Sequence, residues 1–189
     1  MREKGFTIIE LLVVMGIITI MTVVLVPNFR LGQQQLALDR SANKLAQEIR
    51  RVQEMAISSK EIGQGIVPLG EEFYPLGGFG IYFDQSPLQI TLFADCDDNQ
   101  RFSSGNICGS PPDKFRENIE DLGLELGIQI ENLFPSSSFS VTFKAPDPLV
   151  CIDGDCSDPS SAVITISLIA DSSKTRIIRV NSVGLITIE

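Results

Sequence analysis

The chain has 189 residues, 43% of them hydrophobic, and a net charge of −9 from 15 basic and 24 acidic side chains. That apolar content can build a core, which excludes a disordered chain, and no basic excess exists to meet phosphates, which argues against a general nucleic-acid binder. Histidine is absent, so a Ser-His-Asp or Cys-His site, His-ligated zinc and a His proton switch are all excluded.

The charge is unevenly spread. Residues 1–5 carry +1, residues 6–26 only Glu10, residues 27–60 +3, and residues 61–189 −12. These steps divide the chain into a short leader (1–5), an apolar rod (6–26), a mixed-charge stretch (27–60) and an acidic body (61–189).

The rod, FTIIELLVVMGIITIMTVVLV, has 21 residues. As a helix it spans ~31 Å, close to the ~30 Å hydrocarbon core of a bilayer. Apolar residues fall on every side, which suits lipid rather than a half-buried surface helix. A cleaved secretory signal has a shorter apolar run and a small-residue exit. Here the run ends in Val24-Leu25-Val26-Pro27-Asn28, so a retained membrane helix is expected. Arg2 and Lys4 ahead of it place the N-terminus in the cytoplasm and the body outside it. Gly16 permits close helix approach, or is simply a tolerated membrane glycine.

Glu10 is the anomaly. An acid at the centre of such a helix costs ~2.5–3.5 kcal/mol, less near an end. It therefore has a partner, or lies shallow enough to reach water.

Lys4-Gly5-Phe6-Thr7-Ile8-Ile9-Glu10-Leu11 resembles the processing signal of type IV prepilins and type II secretion pseudopilins. The resemblance implies that a prepilin peptidase cuts between Gly5 and Phe6 and methylates Phe6. It also implies that Glu10 neutralises the N-terminal amine of a neighbouring subunit, the partner that a buried carboxylate requires. Other pilin or pseudopilin subunits, the peptidase and an inner-membrane assembly platform are the implied partners. Pro27, which can kink or end a helix, stands where the lipid-facing run stops, as in many pilins.

Leu38, Ala42, Leu45, Ile49, Val52 and Ala56 recur at spacings of three and four, the stripe of an amphipathic helix. The spacing predicts a helix running on from the rod to about Ser59. Arg50 and Arg51 lie on its polar side, solvated or facing an acidic partner. Leu45–Ala56 also resembles the corresponding helix of the H-type minor pseudopilins and FimT-like minor pilins.

Beyond Lys60 the pattern becomes extended. A Gly/Pro-rich connection covers Gly63–Gly78, and Phe79–Phe83 and Leu88–Ala94 flank a hairpin turn at Asp84-Gln85-Ser86-Pro87. The alternation Leu122, Leu124, Leu126, Ile128, Ile130 predicts one half-buried strand, with Gly123 and Gly127 on its other face marking bulges. Further strands are expected at Phe139–Lys144, Ala162–Ile169, Thr175–Val180 and Leu185–Ile188. The last two resemble the terminal hairpin of the H-type and FimT-like domains. The expected class is α+β: a long N-terminal helix packed on a mainly antiparallel sheet domain.

Cys96, Cys108, Cys151 and Cys156 fall in the body, on the oxidising side of this topology. Local pairs Cys96–Cys108 and Cys151–Cys156 would each close a short loop, worth ~2–3 kcal/mol. A four-thiolate zinc site and free thiols are the alternatives. Asp95, Asp97 and Asn99 set oxygen ligands at alternate positions, as the first half of a calcium loop does. Gln100 stands where an EF-hand has glycine and Asn106 where it has glutamate, and a solvated acidic loop is the alternative. Calcium apart, no cofactor is implied.

Three functions compete. A structural subunit, of minor type, in a type II secretion pseudopilus or type IV pilus leads. A filament-tip module that contacts a secreted substrate, a surface or DNA is second, although Lys174, Arg176 and Arg179 are few against −12. A membrane-anchored enzyme is third, and without histidine it would be confined to carboxylate or lysine chemistry. The Gly5–Phe6 junction yields a direct expectation. Mass spectrometry of the mature protein will find methylated Phe6 at its N-terminus, and intact Met1–Gly5 in cells that possess the peptidase would sink it.

Overall fold

A computed structural model of the chain describes residues 7–58, 75–105, 107–108, 115–145, 149–157 and 161–189; of residues 26–31, 107–108 and 115–116 only the backbone is described. Among these described residues the elements are one helix, α1 (Ile8–Ile57), followed by β1 (Gly78–Gln85), β2 (Leu88–Asp95), β3 (Ile107–Cys108), β4 (Phe115–Arg116), β5 (Asn118–Leu122) and β6 (Ile128–Phe134). Then come β7 (Ser138–Lys144), β8 (Leu149–Ile152), β9 (Ala162–Leu168), β10 (Asp171–Val180) and β11 (Ile186–Ile188). The class is α+β, as expected.

The chain divides into two compact units, Met1–Ala37 and Leu38–Glu189. The boundary falls inside α1, at the first residue of the predicted stripe rather than at Pro27. Within the first unit every described side chain from Ile8 to Leu25 is exposed. The backbone stays helical across Pro27, so this proline does not end the helix. The lost amide donor costs one hydrogen bond, and the ladder resumes beyond it.

In the second unit the stripe is buried as its periodicity requires. Leu38, Ala42, Leu45, Ile49, Val52 and Ala56 are all within 3% of complete burial. They share one core with Phe79, Ile81, Phe83, Leu92, Phe139, Val141 and Phe143 and with Ile164, Ile166, Ile178 and Val180. Asp39, Arg40, Lys44, Arg50, Arg51 and Glu54 lie off the stripe, exposed or half-buried. Arg51 reaches Glu48 at 3.0 Å and Glu120 at 3.1 Å, which raises its already high pKa, chiefly through the Glu48 bond. Arg50 donates to the Ile186 carbonyl at 3.5 Å, Arg176 pairs with Asp39 at 2.7 Å, and Arg179 pairs with Glu189 at 3.7 Å. Of the basic side chains considered for a partner surface or for DNA, Arg50, Arg51, Arg176 and Arg179 are thus engaged inside the domain.

The strands form two larger sheets and a ribbon: β5-β2-β1-β7-β8, β11-β10-β9-β6, and β3-β4. The described pairings are all antiparallel. The β1–β2 hairpin closes with Gln85 opposite Leu88, and Asp84 accepts the Ser86 N–H at 3.0 Å. The terminal hairpin pairs Ile178 with Ile188 and Val180 with Ile186. Both hairpins were readable.

The single strand expected over Leu122–Ile130 is a correction. β5 ends at Leu122, β6 begins at Ile128, and the two belong to different sheets. Between them Leu126 is fully exposed and Gly127 has φ +89°, a left-handed turn that glycine adopts without strain. Its carbonyl accepts the Ile169 N–H at 2.9 Å. The alternation is therefore a half-buried strand end at Leu122 and a buried strand start at Ile128 flanking a sheet-to-sheet crossover, not one pleated run. Gly127 marks a turn instead of a bulge. Ser59, and all of the Gly/Pro-rich connection except Pro75–Gly78, lie outside the described residues.

The five-stranded sheet is covered on both faces. Its odd-numbered β1 and β7 residues and even-numbered β2 and β8 residues face the α1 core. The opposite face carries Gly80, Thr91, Phe93, Asp95, Ser140, Thr142 and Cys151, all buried. The segment after β2 lies over that face. Phe102 stacks near Tyr82 and Phe93, with ring centroids 5.0 and 5.4 Å apart, and its N–H donates to Ser140 Oγ at 3.0 Å. A side chain at Gly80 would strike the Phe93 ring at 2.5 Å, so glycine there makes room for the cover.

Ile49 and Leu126 test this architecture. Ile49→Ala is expected to cost ~2–5 kcal/mol, because it opens a cavity in the core. Leu126→Ser is expected to stay within about 0.5 kcal/mol of wild type. Denaturant unfolding of the full chain in detergent checks both.

Candidate functional site

The residues singled out in the sequence converge on two places, the start of α1 and the loop after β2. Gly5 and Phe6, the expected cleavage junction, lie outside the described residues. Thr7 immediately precedes the helix. Its N–H and its hydroxyl both donate to Glu10 Oε2 at 2.9 Å, and the Glu10 N–H returns a bond to Thr7 Oγ1 at 3.3 Å. This is a reciprocal capping box, which satisfies donors that the first turn leaves without helical partners. The pattern Thr7-x-x-Glu10 before an apolar run is visible in the sequence, and the sequence reading passed over it. Within one subunit Glu10 therefore holds the beginning of its own helix.

Further along the rod, Thr19 and Thr22 donate to the carbonyls of Met15 and Ile18, each at 2.8 Å. Such back-bonds leave no hydroxyl unsatisfied in a medium without water. The stretch Ile8–Leu25 has a mean hydropathy of 2.7 and is ~27 Å long as a helix, enough to cross a bilayer core.

The second place is built from two strands far apart in sequence. Asp95 ends β2, with its backbone carbonyl bonded to the Gly77 N–H at 2.9 Å. β5 runs antiparallel to β2, with a register shift between Leu92 and Phe93. Just before β5, Glu117 gives its carbonyl to the Ala94 N–H at 2.9 Å. That backbone contact brings Glu117 beside Asp95. Carboxylate oxygens of Asp95, Asp97 and Glu117 all lie within 4.8 Å of one another. Asp95 and Glu117 are completely buried, and Asp97 is exposed.

The intervening loop is closely tied. Asp95 Oδ2 accepts the Gln100 N–H at 2.7 Å, and Glu117 Oε2 accepts the Ser103 N–H at 2.9 Å. Asp98 and Gln100 adopt left-handed φ values of 60° and 61°. Gln100 is held by its contacts with Asp98 and Thr142, at 2.7 and 2.8 Å. Lys144 pairs with Asp98 at 2.6 Å, and Arg101 donates to the Asp153 carbonyl at 2.6 and 2.9 Å. Asn99 is turned to its own loop, donating to Asp97 Oδ2 at 2.8 Å and accepting the Arg101 N–H at 2.7 Å. Of the expected trio Asp95, Asp97 and Asn99, the carboxylates of Asp95 and Asp97 are brought together, and Glu117 joins them.

This arrangement is electrostatically costly by itself. At such spacing two unit-charged carboxylates repel by about 3.5 kcal/mol or more for an effective dielectric near 20. Burial, reinforced by the Asp97 and Glu117 carboxylates, pushes the Asp95 pKa up to about 6, against the stabilising Gln100 N–H. Asp95 Oδ1 is buried and receives no hydrogen bond.

Cys151 and Cys156 form a disulfide, with Cα atoms 4.2 Å apart. Cys96 is disulfide-bonded too, and no free thiol is present among the described cysteines. The side chain of Cys108, its expected partner, lies outside the described residues. A four-thiolate zinc centre is ruled out, because disulfide sulfurs are not thiolates.

Residues 1–26 match the family model of the prokaryotic N-terminal methylation motif. No curated protein and no solved structure matches the chain. The N-terminal segment therefore carries a type IV pilin-like signal, which implies processing by prepilin peptidase, assembly with other pilin subunits and anchoring through the apolar helix.

Non-reducing peptide mapping will recover Cys151 linked to Cys156. Cys151→Ser is expected to lower stability by ~2 kcal/mol, the chain-entropy value for so short a loop.

Proposed function

We propose that this protein is a structural subunit, of minor type, in a type II secretion pseudopilus or type IV pilus. The observation that carries the reading is the match of residues 1–26 to the methylation motif, with Glu10 as the sole charge in an otherwise apolar rod. The peptidase removes residues 1–5 and methylates Phe6. The N-terminus faces the cytoplasm, and the sheet domain is displayed outside the inner membrane. The Cys151–Cys156 disulfide supports that orientation, since such bonds persist in oxidising compartments. The helix stripe and the β10–β11 hairpin support a body of H-type or FimT-like kind. The work is assembly without chemical turnover.

In the membrane-embedded single subunit, the Thr7 donors satisfy the Glu10 carboxylate and lower the cost of keeping it in the rod. In the filament the same carboxylate meets the N-terminal ammonium of a neighbour, and neutralisation across the contact selects that packing register.

Glu10→Ala tests this. Insertion and cleavage should persist, because loss of a charge makes the rod more apolar and leaves Gly5–Phe6 intact. Incorporation should fail, since a buried ammonium without its counter-ion costs ~3–5 kcal/mol. Glu10→Gln should fall between. Processed protein in membranes is compared with protein in sheared filaments, and wild-type filament levels of the alanine variant would reject the pairing role.

A further inference from the structure

The proposed function gives Asp95, Asp97 and Glu117 no task, and the burial of Asp95 and Glu117 calls for a reason. Two of the three are completely buried, and their oxygens are held within 4.8 Å of each other and of Asp97. One oxygen of Asp95 is enclosed without a donor. A buried acceptor in that condition is costly unless a proton or a cation meets it. We infer that Asp95, Asp97 and Glu117 bind a hard divalent cation, with calcium as its natural occupant.

The chemistry of the donors selects the class of ion. All three ligands are carboxylate oxygens, and the chain has no histidine. The described cysteines are oxidised, so the soft and borderline metals lack their preferred partners. Calcium takes six to eight oxygens in flexible geometry, whereas magnesium keeps most of its water and uses one or two carboxylates. Three converging carboxylates favour calcium.

The loop has the backbone such a site needs. In a calcium loop that begins with Asp95, Asp97 holds the third place, Asn99 the fifth and Gln100 the sixth. The sixth place makes the sharp turn that glycine ordinarily supplies. Gln100 adopts that left-handed conformation, with φ 61°, and its N–H bonds back to Asp95 at 2.7 Å. The departure noted in the sequence is thus accommodated. The acid that an EF-hand takes from its twelfth position comes instead from Glu117, delivered by the β2–β5 pairing. Exposed Asp97 leaves the site open on one side for entry and for water ligands.

The rival account is a proton. Asp97 lies close enough to share one with the raised Asp95 carboxyl, which would satisfy the enclosed oxygen without any metal.

The full-length protein in detergent, stripped with a chelator and dialysed at neutral pH, is titrated with CaCl2 and separately with MgCl2. Binding is followed by calorimetry and by thermal unfolding. The expected result is one saturable calcium site per chain, a melting temperature that rises with calcium, and weaker binding of magnesium. Asp97→Asn, at an exposed position that leaves the core intact, should weaken calcium by about tenfold or more, because affinity at such sites follows carboxylate count. Glu117→Gln should do the same and abolish the calcium-dependent rise. Glu54→Gln removes one exposed acidic charge outside the trio and its loop and should keep the site. The proposal is overturned if wild type shows no saturable heat and no shift up to millimolar calcium, the result that the shared proton predicts. It is equally overturned if Glu54→Gln weakens binding as much as Asp97→Asn, the result of diffuse attraction to an acidic surface. Neither outcome bears on filament assembly, which Glu10 tests separately.

Discussion

The burial of one helix stripe organises everything downstream of Leu38. Leu38, Leu45, Ile49 and Val52 each lose essentially all contact with water, and each such side chain contributes ~1.5–3 kcal/mol relative to exposure. Net stabilities of domains are only ~5–15 kcal/mol, so a few of these contacts separate a folded domain from an unfolded one. The inner faces of β1, β2 and β7 meet the same core as β9 and β10, which lets two separate sheets share one interior. The same helix faces a different solvent at its other end. From Ile8 to Leu25 it is apolar all round and exposed, and the threonine back-bonds close its polar groups internally. One continuous secondary structure serves lipid with its composition and a protein core with its periodicity.

The five-stranded sheet then creates a second requirement. With one face on the helix core, the other still carries Phe93, Thr142 and Cys151, which need cover. Phe102 supplies the apolar part, and Gln100 and Ser140 supply polar fastening at 2.8 and 3.0 Å. The loop that carries the acidic residues is therefore a structural lid over a sheet. This explains why Asp95 and Glu117 are buried at all: they sit where the lid meets the strand ends. Burial of carboxylates is the consequence of covering that face, and it makes the site electrostatically demanding.

Local signals in the sequence were read faithfully. The helix stripe, the β1–β2 turn and the terminal hairpin depend on spacings of a few residues, and their periodicities match the burial observed. The N-terminal signal is likewise local. Errors arose where a local pattern had a non-local cause. Leu122, Leu124, Leu126, Ile128 and Ile130 alternate like a strand, yet the chain leaves one sheet and enters another between them, and Leu126 faces water. Glu117 had no sequence mark as a partner of Asp95, because 22 positions and a strand pairing separate them. The Thr7–Glu10 capping box is a different case: its signal is local and legible, since Thr-x-x-Glu before an apolar run gives Glu10 partners within its own subunit.

Glu10 and Asp95 pose the same physical question and reach different answers. Each is a carboxylate placed where charge is costly. Glu10 has donors within its own first turn, and a partner from outside can replace them without refolding anything else. Asp95 is fixed by the sheet on one side and the loop on the other, so its surroundings cannot move to satisfy it. A small mobile ion can reach such a group when a neighbouring subunit cannot. Disulfides in the same domain point to the oxidising side of the membrane, and weak calcium sites of extracellular modules fill at ~10⁻⁴–10⁻³ M. On the proposed topology, the lid over the second sheet face is completed only after export. Oxidation locks the Cys151–Cys156 turn, and on the proposed cation site a divalent ion would neutralise the carboxylates where the lid meets β2 and β5. The helix stripe is held by apolar burial and needs neither, so on the proposed function the N-terminal rod and the displayed domain mature by separate chemistry.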